Sequence, residues 1–465
     1  MRPTPILAAL ALLAAALCPA EDWPTYRHDN RRTNATAEAL PLPLEQAWVW
    51  QSPVPPQTAW SGPAKWDAYA MNQGLQSMRS FDPAFFVTAA GDRVFFGSSA
   101  DDGAHCLDAA TGEERWVFFA DAPVRLPPTY FDGRVYFGAD DGVAYCLDAA
   151  DAAEVWRFRG AADRRLIVSN SRMISAYPCR TGVLVHEGAA IFGNSLVPWE
   201  PSYLTAVECA NGSARFSKEL AGVTLQGALL AAGNALFSPQ GRLAPKVFDL
   251  QTGEPQGEVA GAGGVFCVLS ESGELIAGPR DQKAGDDILT LRAPGGEAVA
   301  AFPGANQLVL AGDRAFFHDG RHLNALDTKR YAQSQKDAAA AAAQIDAANK
   351  QIAEAEKAAT DAPDQLAAAK EALAAAQAAA AQAKAGEAAA TLWRERTDAP
   401  HELMFAGSTL FLGLEGKVAA LDAKTGKHLW EAPAHGKVHG LAAAHGRLFA
   451  STDRGAIHCF AKAAD

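Results

Sequence analysis

"DGRVYFGADDGVAYCLDAADAAEVW", residues 132–156, holds an alternating strand, an Asp-Asp-Gly turn, a second strand ending in Cys-Leu-Asp-Ala, a further turn, and a strand carrying Trp156. The same order stands just before it in "GDRVFFGSSADDGAHCLDAATGEERW", residues 91–116, and returns in "GSTLFLGLEGKVAALDAKTGKHLW", residues 407–430. A truncated copy, "HGRLFASTDRGAIHCF", occupies residues 445–460, and weaker ones end or begin at "LTAVECANGSARF", "PKVFDLQTGE", "ILTLRAPGGEAVAAF" and "GDRAFFHDGRHLNALD". Anchored on the Asp of Leu-Asp-Ala, the copies fall at Asp108, Asp148, Glu208, Asp249, Arg292, Asp327, Asp422 and Ala461. A period near 40 residues with four short strands per unit predicts an all-β propeller, here with eight blades. A sandwich does not predict the Trp that follows the Asp by eight residues, as in Trp116, Trp156 and Trp430.

These tryptophans are expected to dock blade on blade, with Trp393 doing the same for blade six. The last repeat runs out before its Trp strand, and "LEQAWVWQS", residues 44–52, offers Trp48 or Trp50 to complete it. Pairing the two ends of the chain would remove an open sheet edge. The organisation read from the repeats is a signal peptide at 1–20, an N-terminal segment with the closing strand at 21–90, and blades one to six at 91–328. An insertion follows at 329–391, and the rest of the propeller at 392–465.

The insertion is legible in its spacing. Trp393 follows Asp327 by 66 residues instead of eight. The intervening stretch is rich in Ala, Gln, Lys and Glu and has neither Gly nor Pro from Lys329 to Ala362, a composition that favours helix. Tyr331, Ser334, Ala338, Ala341, Ile345, Ala348, Ile352, Ala355 and Ala359 alternate at three and four, as do Leu366, Ala369, Leu373, Ala376, Ala380 and Ala383. "TDAPDQ" breaks the run between them. An antiparallel, coiled-coil-like helical hairpin in the outer loop of blade six is therefore predicted, projecting as an arm for a second envelope protein.

Arg2, the apolar run Ile6 to Leu17 and the small residue Ala20 read as an export signal cleaved before Glu21. The run is short of the roughly 20 residues a spanning helix needs, and bulky Leu17 argues against lipidation at Cys18. No later segment is apolar enough to span a bilayer, so an exported, periplasmic location is expected. The formal charge of −12, with no basic block, argues against nucleic acid as a partner. Six cysteines follow Cys18 without metal or haem spacing, and Cys106 and Cys146 share one repeat position as buried small residues would. Asp101-Asp102-Gly103 and Asp140-Asp141-Gly142 suit hairpin turns better than calcium loops. "HDGRH", residues 318–322, brings two histidines across a turn without a third ligand, so no metal site is expected.

"GRVYFGADDGVAYCLDA" and "GKVAALDAKTGKHLW" resemble the repeat of quinoprotein (PQQ-type) propellers, in which the Trp of an Ala-x-Asp-x-x-Thr-Gly-x-x-x-Trp unit docks neighbouring blades. The resemblance spans nearly all of the chain after the leader outside residues 329–391. A further likeness, in "WPTYRHDNRRTNAT", "SRMISAYPCRTGVLV" and "LQGALLAAGNALFSPQGRLAP", is to exported PQQ-like propellers of planctomycete-type bacteria. The family implies an eight-bladed fold that serves both quinone-dependent dehydrogenases and BamB, a non-enzymatic scaffold. Family dehydrogenases hold pyrroloquinoline quinone over the axis between a Trp face and a vicinal Cys-Cys disulfide, beside calcium and a catalytic Asp. This sequence has no Cys-Cys dipeptide, and no position matches the calcium ligands or the Asp.

Counting back along each blade places Arg125, Arg180, Gln226, His401 and His439 near the start of an innermost strand, at the channel mouth. Arg172, Arg242 and Arg280 join them from the atypical middle blades. Such a ring of donors suits an anionic or sugar-like ligand. The leading expectation is an exported, non-enzymatic interaction scaffold of the cell envelope. The alternatives are a quinone- and calcium-dependent alcohol or sugar dehydrogenase, or its degenerate descendant, and a propeller that binds a sugar or anion.

Overall fold

The computed structural model describes residues 20–60, 66–67, 72–73, 81–283, 287–357 and 363–463; the expected leader, Ala20 apart, lies outside them. Among the described residues there are six four-stranded antiparallel sheets arranged as blades and one eight-stranded sheet that comprises two more. The two are fused because His428–Ala444 serves first as the outermost strand of blade seven and then as the innermost of blade eight. Blade one runs Val87–Ala90, Arg93–Gly97, Gly103–Asp108 and Glu114–Phe119 from axis to rim. It thus begins before residue 91, because the innermost strand precedes the hairpin turn at which each repeat was first recognised.

The burial of each strand follows its place in the blade. The second strand of blade one, RVFFG, is buried on both faces, since neighbouring blades cover both. The outermost strand, ERWVFF, buries only its tryptophan. That residue pairs with Cys106, and the ladder bulges immediately after it; Cys146 opposite Trp156, Ala325 opposite Trp393 and Ala420 opposite Trp430 repeat the arrangement, bulge included. The bulge turns the indole off the strand toward the next blade. There its N–H donates to the carbonyl that follows the repeat Asp, or Glu208 in its place: Trp116 to Ala149, Trp156 to Cys209 and Trp393 to Ala423, at 3.0–3.1 Å. A side chain added at Gly212 or Gly426 would meet the Trp156 or Trp393 ring at 2.8 Å, so the turn glycines leave room for the ring as well as adopting positive φ. Truncating an indole so placed costs about 3–5 kcal/mol.

Closure uses the same contact at the chain ends. Glu45–Gln51 pairs antiparallel with Ala456–Ala461, completing blade eight, and the Trp48 indole donates to Ala109 of blade one. Trp50 instead packs against Phe96, 4.7 Å between centroids. The docking carbonyl that blade eight owes Trp430 comes from Leu44 of the N-terminal segment. That segment also has a strand of its own ahead of the closing one, Ala35–Thr36, parallel to the innermost strand of blade seven. The six described cysteines are buried and unbonded to one another, and burial pushes the Cys106 and Cys146 thiols up to about 12.

The helical insertion spans α1, Thr328–Lys357, and α2, Pro363–Ala390. Its first turn reuses the repeat's own chemistry. In blades one, four and seven the repeat Asp accepts two backbone N–H groups of the following turn; Asp327 accepts that of Arg330 at 3.0 Å and becomes a helix N-cap. Tyr331 stacks on Phe302 and donates to Ala301, so the root of the arm packs on the outermost strand of blade five, which has no Trp. Ser334, Ala341 and Ala348 are buried on α1, as are Ala369, Ala376 and Ala383 on α2. A Cβ on Gly386 would stand 3.4 Å from that of Ser334, so the start of α1 lies against the end of α2. At 1.5 Å per residue each arm extends about 40 Å.

Trp50, on the strand that closes blade eight, reaches a buried histidine of blade one, His105, at 5.9 Å between ring centroids. His105 stacks on Phe96 at 4.6 Å, and its ring nitrogens contact Glu114 at 2.8 Å and Asp101 at 3.1 Å. Burial opposes the proton, but the bonds to Asp101 and Glu114 outweigh it and raise the pKa. A raised histidine contributes stability that is fully present below about 6.5, its unfolded value, and is lost as pH rises through the folded pKa. In urea titrations from pH 5 to 9, His105→Gln is expected to abolish that part of the alkaline loss of stability.

Candidate functional site

The segment from Trp23 to Asn34 forms the floor of the propeller axis. Trp23 bridges to Ala89 of blade one, Pro24 accepts from Tyr130 of blade two, and the Asn30 side chain donates to Val185 of blade three. Asn30 and Arg31 carbonyls accept from Ala231 of blade four and Leu269 of blade five, and Asn34 from Phe405 of blade seven. Such winding requires tight turns, and Arg27, His28, Arg32 and Asn34 all have positive φ. Non-glycine residues accept that only where their surroundings over-determine it.

The surroundings are two buried arginines. Arg27 Nη1 donates to both carboxylate oxygens of Glu402, at 3.0 and 3.1 Å, in a pair almost closed to solvent. Burial raises the Glu402 pKa, and Arg27 opposes it. Arg32 forms no ion pair among the described residues, although the Asp29 charge favours its proton: its guanidinium donates to Leu229 O, Thr25 Oγ1, Tyr26 O and Asp29 O. Burial lowers its pKa to about 10, which still leaves it charged at neutral pH.

Above this floor lies a cavity of about 280 Å³ whose wall is made by residues at the starts of innermost strands. Arg242, His401 and His439 come together there with Tyr26, Arg27, Phe266 and Gln307, and Gly227, Gly241, Gly264 and Gly278 leave the volume open. His401 and His439, from blades seven and eight, have ring centroids 4.9 Å apart. Burial, then Lys437, lowers His401; burial, then His401, lowers His439 to about 4. Both are therefore neutral near pH 7. Among the described residues, Arg27 Nη2 and Gln307 Oε1 are buried without a hydrogen-bond partner. Arg242 itself faces Asp281 at 3.9 Å.

The other expected mouth residues lie elsewhere. Arg125 donates to Asp140 and Asp82, both at 2.7 Å, and Arg180 grips Asp140 through Nε and Nη2, both at 2.8 Å. They form structural ion pairs under the loop of residues 52–60, and these carboxylates offset the cost of burying the guanidinium groups. The two Asp-Asp-Gly turns serve such pairs: Asp140 holds Arg125 and Arg180, Asp101 contacts His105, and Asp102 holds Arg172. Arg172 thereby ties the hairpin Leu166–Ser169 and Arg172–Ser175 to blade one. Gln226 is buried and donates to Leu196 O, and Arg280, half exposed, faces Asp281. His318 accepts from Gly320 N, and His322 lies 3.7 Å from Asp319.

Sequence reasoning missed Tyr26, Arg27, Phe266, Gln307 and Glu402. The one available signal was the density of cations in "YRHDNRRTN", which reads as a solvated surface until it is seen inside a ring. The cup's donor set does not fit a calcium-bound quinone. Its one carboxylate among the described residues, Glu402, already accepts from Arg27, Asn34 and Leu403 N, whereas calcium takes six to eight oxygens.

A family model described as "Outer membrane protein assembly factor BamB" matches residues 47–238 and again 233–464. Among solved structures, the quinohemoprotein alcohol dehydrogenase of Comamonas testosteroni is similar, with 13% identity over 95% of this chain and 81% of its own and a TM-score of 0.58. A europium-containing methanol dehydrogenase gives 11% identity, coverage of 92% and 89%, and 0.54. The computationally designed Ika8 protein gives 13%, 84% and 100%, and 0.52. These likenesses are of fold. No curated protein matches the sequence.

Asp140→Ala would leave Arg180 buried without a carboxylate, and a loss of about 3–5 kcal/mol is expected in urea unfolding. Calcium and chelator should both leave the wild-type melting temperature unchanged.

Proposed function

The chain belongs to the family described as the outer membrane protein assembly factor BamB, and from that premise we propose that it is a non-enzymatic envelope propeller whose axial cup binds a small anionic ligand. One observation carries this reading. Arg27 lines the cup with Nη2 buried and unpartnered, while its other terminal nitrogen is neutralised by Glu402. A buried guanidinium nitrogen without an acceptor is costly, and a ligand carboxylate or phosphate would supply the acceptor in charge-assisted form. Arg242 adds a second cation, and the neutral His401 and His439 add donors or acceptors for hydroxyl groups. The volume is at the lower limit for ligand pockets, which suits a small acid better than a large cofactor.

Isothermal calorimetry of the exported protein against simple carboxylates, sugar acids and inorganic phosphate tests the reading. At least one is expected to bind, and Arg242→Gln to weaken it about tenfold or more with no change in melting temperature. Heat from none of them, or turnover with pyrroloquinoline quinone and calcium in dye-linked oxidation of alcohols or sugars, would overturn it.

The helical arm favours a second role beside this one, as a docking scaffold. Among the described residues α1 and α2 pack mainly on each other, with smaller contacts to the outermost strand of blade five and to blade six at the root. Replacing residues 329–390 by a short turn is expected to leave the propeller folded and to abolish retention of an envelope partner in cross-linking from intact cells. Undiminished retention would count against the arm.

A further inference from the structure

Where the N-terminal segment enters the propeller, Glu38 is a carboxylate buried to 3% exposure. Its Oε2 accepts from His445 N at 3.0 Å and from the backbone nitrogen of Glu21 at 2.9 Å, and its Oε1 accepts from Gly446 N. Every one of these donors is a neutral amide, and among the described residues no cation forms an ion pair with Glu38. The nearby basic groups are engaged elsewhere. The His445 ring contacts Asp22 at 2.7 Å, the His28 ring faces the Glu21 carboxylate at 3.9 Å, and Arg447 donates to His445 O. The Glu21 carboxylate itself accepts from Thr36 Oγ1. A buried carboxylate with three amide donors and no counter-charge is an unfinished site, since an uncompensated charge is what buried ion pairs exist to avoid. Ala20, immediately before, is exposed.

We infer that Glu38 is the receptor for a free amino terminus at Glu21, created by hydrolysis of the Ala20–Glu21 bond and held as an ammonium–carboxylate pair. An external endopeptidase that accepts a small residue before the cut catalyses the step. Water adds its oxygen to the Ala20 carbonyl carbon, the C–N bond breaks, Ala20 leaves as a carboxylate, and the Glu21 nitrogen takes up protons to become –NH3+. That nitrogen already stands at hydrogen-bond distance from Oε2, so no rearrangement is needed. The charge then matches where it is amide-like before cleavage. Because Glu38 also holds the turn at His445 and Gly446, and Asp22 holds both Gly91 N and the His445 ring, the new pair ties the chain start to blades eight and one. Processing thereby strengthens the closure of the ring.

An α-amino group titrates near 8 when free. Pairing with Glu38 raises that value, so the added stability is present at neutral pH and lost as pH rises through the raised pKa. The other titratable or charged groups at the junction are Glu21, Asp22, His28, His445 and Arg447.

The test starts with the intact mass and N-terminal sequence of the exported protein, where Glu21 is the expected first residue. Melting temperatures are then compared for chains beginning at Glu21 and chains carrying two extra residues ahead of it, each with Glu38 and with Glu38→Gln. The Glu21 form is expected to melt about 3 °C higher at pH 7, with the difference vanishing in Glu38→Gln and, without any core substitution, at pH 10. A terminus elsewhere overturns the processing step. Equal melting of the two Glu38 forms at pH 7 overturns the ion pair.

Discussion

A ring of sheets is unstable until its last blade is completed by some other part of the chain, and the pairing of Glu45–Gln51 with Ala456–Ala461 supplies that completion. Everything else in the architecture presupposes it. Without this ladder, blade eight would end in a bare edge strand, and the Trp48 indole would not reach Ala109 to seat blade eight on blade one. Without it, too, residues 21–43 would have no reason to return through the axis. Closure is therefore the constraint from which the cup follows, because the chain can reach the rim of blade eight only after crossing the channel.

That crossing explains the unusual chemistry of the interior. A segment with two buried arginines, four positive-φ residues and backbone bonds to most of the blades is poor in local stability and owes its shape to the ring around it. In return it closes the axis with polar groups whose partners are already assigned. Among the described residues a few buried atoms remain without a partner, Arg27 Nη2 beside the cup among them. The cup's chemistry is thus set by what the floor does not satisfy internally.

One local device appears in two guises. The repeat aspartate closes a turn in blades one, four and seven and caps a 30-residue helix in blade six. In both cases a carboxylate accepts backbone N–H groups that the strand has ceased to pair. The insertion consequently disturbs neither the strand before it, which still pairs Ala325 with Trp393, nor the blade interface after it. Tyr331 even adds a ring to Phe302 on the outermost strand of blade five, which carries no Trp.

The repeat, its period, the docking tryptophans and the helical arm could be read from residues alone, because each depends on local spacing: alternation for strands, eight residues from Asp to Trp, three and four along the arm. The ring-closing strand was legible for the same reason. The roles of the charged residues were not. Arg125 and Arg180 stood at the positions expected for mouth donors, yet they neutralise Asp140 and Asp82, whereas Arg27 and Arg32, in a stretch that looks like a solvated surface, form the floor. Whether a guanidinium binds a ligand or holds a loop depends on which carboxylates the fold brings within about 3 Å, and those lie up to 375 residues away in sequence. Spacing along the chain determines strands and helices; what a buried charge bonds to is decided only when the ring is closed, because burial makes it depend on whichever counter-charges or hydrogen-bonding groups the fold brings to it.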